Sequence, residues 1–137
     1  MYLLDTNIVS YWMRGDSRFI RKIRAHTPAE LFLSTITLAE ILYGIEKSPV
    51  KKGERTEKIH QIISVLGMYA FDEAAAEAYA GIRAQLERQG RAISERDTQI
   101  ASIATANRLT VVTHNVQEFC RVDRLNVEDW ADPGVQT

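Results

Sequence analysis

Three acids stand where the pattern of the chain changes from an apolar run to a helix: Asp5, Glu40 and Asp97. Asp5 closes the run Tyr2-Leu3-Leu4 and is followed by Thr6, Asn7 and a second apolar stretch. A run of that kind is a buried strand, so the carboxylate at its tip must be solvated, hydrogen-bonded or paired with a cation. Asp5 also reads as the N-cap of the following helix, a task that Thr6 or Asn7 would do equally well. Glu40 lies in TITLAEILYG, where Thr37 and Glu40 fit a capping box, and taken alone that structural role is the better reading. Its place in the first turn after Leu31-Phe32-Leu33 still puts it at the same sheet edge as Asp5. Asp97 follows Ser94-Glu95-Arg96 at a helix start, again cap-like, and no clear strand leads into it.

Taken together, three acids at three element ends are poorly explained as separate caps. Helix dipoles and free N–H groups keep such carboxylates ionised. Brought into one pocket they repel, and one must take up a proton unless a cation removes the penalty. Mg²⁺ suits that task, because it prefers oxygen ligands, keeps several waters and needs few carboxylates. His26, His60 and His114 are scattered and Cys120 is alone, so nothing argues for zinc.

The elements that must position these acids alternate between short apolar runs and helical patterns. Strands are expected at Tyr2–Leu4, Leu31–Leu33, Met68–Phe71 and Thr110–Thr113, with a fifth at Leu125–Val127. Helices are expected over Ile8–Met13, closed by Gly15, over Arg18–Ala25, and over Leu38–Ile45, ended by Pro49. Further helices are expected over Ile59–Leu66, closed near Gly67, over Glu73–Glu87, ended by Gly90, and over Asp97–Asn107. Strands separated by helices imply right-handed crossovers and an α/β fold whose parallel sheet is covered on both faces. In such folds the site lies outside the carboxyl ends of the strands. Asp5 occupies one such end and Asn115, just past Val111-Val112-Thr113, another.

Bulk composition narrows the partners. A chain of 137 residues is expected to form one domain, here residues 1–131 with a frayed tail at Asp132–Thr137. A chain of about 150 residues buries roughly 68–70% of its unfolded surface. The 45% hydrophobic content fills such a core without staples. With a net charge of −1 and a pI of about 6.3, any binding to phosphate must come from a local basic patch or a bound metal. One cysteine permits no internal disulfide, which suits a reducing compartment. The N-terminus does not read as a signal peptide and no window is long enough to span a membrane, so a soluble cytoplasmic protein is expected.

With those residues assembled, the sequence resembles the PIN-domain toxins of the VapC type. The resemblance rests on LLDTN at the start, STITLAEILYGIEKS in the middle, RDTQIASIATANRLTVVTHNVQEF later and VEDW near the end. It runs from Tyr2 to Trp130, and the order of these motifs makes it specific. It implies a three-layer α/β/α PIN domain with a parallel sheet of four to five strands. It implies a Mg²⁺- or Mn²⁺-dependent endoribonuclease that cuts RNA through a metal-activated water, with transfer RNA as the substrate by analogy. The family's acidic site maps onto Asp5, Glu40 and Asp97, with Asn115 at a fourth position often held by aspartate. Asn115 removes one charge and binds a cation less strongly. Glu118, one helical turn on, is placed to compensate or to serve as a solvated surface acid. Thr6 and Thr113 stand beside proposed ligands, where their hydroxyls orient carboxylates or serve as ordinary caps.

The resemblance also implies a VapB-type antitoxin that lays an amphipathic helix into a groove near Trp12, Phe19, Leu42 and Tyr43. A homodimer is expected on the same grounds, with DNA reached only through the antitoxin. RNA needs a basic flank, and two runs offer it: Arg14, Arg18, Arg21, Lys22 and Arg24, and then Lys47, Lys51, Lys52, Arg55 and Lys58. Tyr11, Trp12 and Tyr43 can stack bases, or pack against core or antitoxin. Other readings are a PIN-like protein that binds RNA or a partner without cutting, which Asn115 favours, a phosphotransfer domain with Asp5 as nucleophile, which Asn7 disfavours, and a domain whose acids are only caps.

Overall fold

The chain's most apolar runs enter one parallel sheet of five short strands: β1 (Tyr2–Leu4), β2 (Leu31–Ser34), β3 (Gly67–Tyr69), β4 (Thr110–Val112) and β5 (Val127–Glu128). The computed structural model describes residues 1–133. Every strand pairing is parallel and the order is β3-β2-β1-β4-β5. The connections are seven helices among the described residues: α1 (Thr6–Met13), α2 (Ser17–Arg24), α3 (Thr35–Lys47), α4 (Lys52–Val65), α5 (Glu73–Arg88), α6 (Glu95–Asn107) and α7 (Val116–Phe119). A 3₁₀ turn, Pro28–Glu30, leads into β2.

Alternation along the strands builds a core on each face. Leu4, Leu31, Leu33 and Val112 pack with Ile8, Val9, Phe19, Ile41 and Ile59 from α1 to α4. Leu3 and Val111 pack with Leu86, Ile100, Ile103 and Phe119 from α5 to α7. The result is the α/β/α layering expected from the sequence. β2 and β3 continue outward from β1 on one side, and β4 and β5 continue on the other. The order therefore reverses between β1 and β4, which opens a crevice at their carboxyl ends. α6 passes straight into β4 through Arg108 and Leu109, and Thr110 N donates to Met1 O (3.1 Å) at the start of the strand. Its first turn is therefore returned to the carboxyl edge, which is how Asp97 reaches the site with no strand before it.

Several boundaries move, each for a local reason. α1 starts at Thr6 rather than Ile8, because Asp5 caps it. α3 starts at Thr35 rather than Leu38, capped by Ser34, whose hydroxyl accepts Thr37 N–H (3.0 Å). α4 begins at Lys52, ahead of the apolar face that starts at Ile59, because its first turns are exposed. Gly67 opens β3 instead of merely closing α4, since a Cβ there would lie 2.5 Å from the Phe32 ring. Gly90 ends α5 in the left-handed region, with φ +65°, as expected. β5 falls at Val127–Glu128, starting two residues later and ending one residue later than the expected run, where it pairs with β4. Of the tail expected to fray, Asp132 N donates to Arg18 O (2.6 Å) and its carboxylate pairs with Arg21 (3.3 Å). Residues 134–137 lie outside the described part. Among the described residues, no helix is long and apolar enough to cross a membrane.

Candidate active site

Asp5 leaves β1 inside the crevice and is only 3% exposed. Its Oδ1 accepts the Ile8 N–H (3.0 Å) and its Oδ2 accepts the Thr113 hydroxyl (2.6 Å). Capping and site membership thus coincide in one side chain, and the expectation that Thr6 or Asn7 would take over the cap does not hold. The Asp5 N–H donates to Val112 O (3.0 Å), which ties the residue to β4. Thr113 Oγ1 in turn accepts the Asn115 N–H (2.8 Å), and Asn115 Nδ2 donates to Asp97 Oδ2 (3.3 Å). Asp97 N–H donates to Ser94 Oγ (3.2 Å), the N-cap of α6. One line of hydrogen bonds therefore runs from α1 across β1 and β4 to α6. It joins residues 108 positions apart in sequence at the Thr113–Asp5 step.

The electrostatics of this line are unfavourable. Burial pushes the Asp5 carboxyl up to about 6, with the Glu40 charge adding to it while Thr113 and the Ile8 N–H pull the other way. Burial also raises Asp97, to about 7, aided by the Glu118 carboxyl in hydrogen-bond reach and by the charge of Asp5. Glu118, half-buried in α7, thus stands beside Asp97 at the end of the line. Among the described residues no lysine or arginine forms an ion pair with Asp5 or Asp97.

Glu40 stands at the rim, and the structure corrects its expected local role. It is not the N3 residue of a Thr37 capping box; α3 begins five residues earlier, and the reciprocal Thr–Glu contact occurs instead where Glu30 accepts the Thr27 N–H (2.8 Å). Glu40 lies one turn further along α3. Its Oε1 accepts the Thr6 hydroxyl (2.7 Å), which itself meets Thr37 Oγ1 (3.1 Å), and its Oε2 pairs with Arg96 Nη1 (3.4 Å). Sequence reasoning missed Arg96 as a member of this site. Its only signal was adjacency to Asp97, because the contact from α6 to α3 depends on how two helices are placed across the sheet edge.

The donor set is all oxygen: Asp5, Asp97, Glu118, Glu40, the Asn115 amide and two threonine hydroxyls. Among the described residues no three carboxylates, imidazoles or thiols converge into a ready cage. A hard divalent cation that keeps its waters and binds through one or two carboxylates does not require one. The raised pair, Asp5 buried and Asp97 half-buried, has no counter-charge among the described residues and fits such a cation. The second basic run lies beside the site: Lys51, Arg55 and Lys58 line a groove of about 710 Å³ together with Thr6, Glu40 and Arg14. Two members of the first run are engaged elsewhere, Arg18 with Asp16 (2.8 Å) and Arg21 with Asp132 (3.3 Å). Of the residues expected around a partner groove, Phe19 is fully buried in the core and unavailable, whereas Leu42 and Tyr43 are exposed. Tyr11 stacks on Phe19, with ring centres 4.5 Å apart.

The PIN-domain family model matches residues 2–125. The chain is 35% identical over 130 residues to a tRNA(fMet)-specific endonuclease VapC of Shigella flexneri, covering 95% of this chain and 98% of that one. Among solved structures it is similar to DNA-bound VapBC from Salmonella typhimurium, with a TM-score of 0.88, 33% identity and coverage of 95% and 98%. It is also similar to VapBC2 from Rickettsia felis bound to a promoter DNA fragment, with a TM-score of 0.84, 33% identity and coverage of 94% and 98%.

Proposed function

The chain belongs to the PIN-domain family, and from that premise we propose that it is a divalent-metal-dependent endoribonuclease, the toxin of a type II toxin–antitoxin pair. The observation that carries this reading is the line Asp5–Thr113–Asn115–Asp97 at the β1/β4 switch point, with Glu118 against its end. It gathers acidic groups from three parts of the chain where an α/β sheet binds its ligands. The name of the Shigella relative supports the activity and makes transfer RNA the first substrate to test.

Asp5 and Asp97 would hold the cation, with Glu118, the Asn115 amide and Glu40 as further oxygen donors. Bound Mg²⁺ or Mn²⁺ would neutralise these acids, polarise the scissile phosphate and lower the pKa of an attacking water. Thr113 holds the Asp5 carboxylate in place, and Thr6 holds one oxygen of Glu40. Asp97 is the carboxylate assigned to take the proton of that water. The P–O3′ bond breaks, leaving a 5′-phosphate and a 3′-hydroxyl. A VapB-type antitoxin is the partner, because the similar solved structures are VapBC complexes. The protein works as a homodimer in the cytoplasm and meets DNA only through that antitoxin.

The test is to incubate wild type and Asp97→Asn with a panel of RNAs that includes transfer RNAs, with Mg²⁺ and with chelator, and to map the ends. Cleavage by wild type with Mg²⁺ alone, leaving 5′-phosphates, is the expected result. Undiminished cutting in chelator, or by Asp97→Asn, would overturn the assignment.

A further inference from the structure

Beside the acids lies a second feature that the proposed reaction leaves unused. α3 presents Ile36, Ala39, Glu40 and Tyr43 as a single stripe, at i, i+3, i+4 and i+7. α6 faces it with Arg96 and Gln99, at i and i+3. Together they line a notch of about 330 Å³, within the range of small-molecule sites (about 300–1,000 Å³). Its apolar wall is Ile36 and Ala39. Glu40 lines both this notch and the basic groove, so the two concavities share the rim acid.

The polar groups around the notch are suited to a nucleotide. Arg96 is 63% exposed and makes one ion pair, at 3.4 Å, with a carboxylate whose other oxygen already accepts Thr6. It stands beside Asp97 in the first turn of α6, and its guanidinium meets the rim acid Glu40. Tyr43 is 60% exposed, a large aromatic face beside that cation. Gln99 gives its Nε2 hydrogen to Glu95 (3.3 Å), which leaves its amide carbonyl as an acceptor. An arginine for phosphate, an aromatic ring for stacking and an amide for a base edge are the elements of single-strand recognition.

We propose that the notch between α3 and α6 seats the RNA nucleotide next to the cut, with Arg96 on its phosphate and Tyr43 stacked on its base. The inference rests on the ribonuclease reading. Arg96 leaves Glu40 for the phosphate, and Glu40 turns its freed oxygen to the cation side of the rim. One arginine thereby serves two sequential partners, and the acid it has been neutralising becomes available when substrate arrives.

The experiment measures the affinity of a fluorescent single-stranded RNA for the full-length protein in an Asp5→Asn background, which does not cut, as a function of salt. Arg96→Gln should weaken binding about tenfold and lower the slope of log affinity against log salt by about one phosphate contact. Tyr43→Ala should weaken it about tenfold with the slope unchanged, and Tyr43→Phe should restore it. Variants that bind as tightly as their parent, while wild type still cuts RNA, overturn the subsite alone. A wild type that neither cuts nor binds RNA overturns the ribonuclease reading itself. Tyr43→Ala that dissociates a dimer in light scattering, with RNA affinity intact, shows that the face joins two copies of the chain and also overturns the subsite.

Discussion

Glu40 and Asp97 sit on facing helices at one sheet edge, yet their charges are balanced in opposite ways. Glu40 has a hydroxyl on one oxygen and a guanidinium near the other. Asp97 has an amide at 3.3 Å, a neighbouring carboxyl and the field of Asp5. The rim is thus electrostatically settled, while the crevice stores unfavourable energy that a cation would release. The difference separates residues that shape the site from residues that await a ligand. A buried group whose pKa is driven far from its ordinary value by burial and like charge is a functional candidate, and by that measure Asp5 and Asp97 stand apart from the rim.

The largest expected effect tests that separation directly. Asp97→Asn and Asp5→Asn should each lower divalent-dependent cleavage by about 10³-fold or more, since a metal centre supplies several kcal/mol of transition-state stabilisation. Neither should unfold the protein. Asn caps helices as well as Asp, and removing an uncompensated buried charge should raise the melting temperature of the metal-free form. A melting temperature lowered by several degrees in both variants would mean that the crevice acids are structural. Glu40→Gln should cost less, about 10–100-fold in activity, because its neutral amide still accepts from Thr6.

The pH dependence of the metal-free protein comes next in size. Asp5 and Asp97 titrate near 6 and 7 when folded, against 3.8 for their ordinary value. Between those values the folded state holds protons that the unfolded chain has released, so the stabilisation present below about pH 4 is lost as pH rises through 6 and 7. For Asp5 alone the shift is worth about 3 kcal/mol. Denaturant midpoints of chelator-treated protein should therefore fall from about pH 5 to pH 8, and Mn²⁺ should abolish most of the fall by displacing the protons. Apparent Mn²⁺ affinity in calorimetry should rise over the same interval and level off above about pH 7. A flat profile without metal would mean that the carboxyls are not crowded.

The sheet was legible because strand alternation and helix period are written locally: Leu3 and Leu4 point to opposite cores, as such a run requires. The acids at element ends were legible for the same reason, since a carboxylate at the tip of a buried run is conspicuous. What the sequence hid was of longer range. Ser34, not Thr37, caps α3, because two good cap residues stand three apart and only the strand exit chooses between them. Asp5 caps and serves the site at once, which a choice between roles excluded. Glu118 meets Asp97, and Arg96 meets Glu40, only through the placement of α6 against α3 and α7, which no spacing along the chain encodes.

The smallest predicted effects come from the two threonines, and they separate the regions most finely. Both donate a short hydrogen bond to a carboxylate, Thr6 at the rim and Thr113 in the crevice. Thr6→Val and Thr113→Val should each cost roughly 1 kcal/mol of stability at neutral pH, the usual worth of one such bond. Their pH signatures should differ. Thr113 pulls the Asp5 pKa down, so its loss raises that pKa further and moves the onset of Mn²⁺ binding to higher pH. Thr6 touches Glu40 and not the crevice acids, so Thr6→Val should leave the Mn²⁺ pH profile where it was. Calorimetric Mn²⁺ titrations of the two variants across about pH 5.5–8 decide the matter. Equal displacement of both profiles would mean that rim and crevice titrate as one unit, and that Arg96 does not insulate Glu40 from its neighbours.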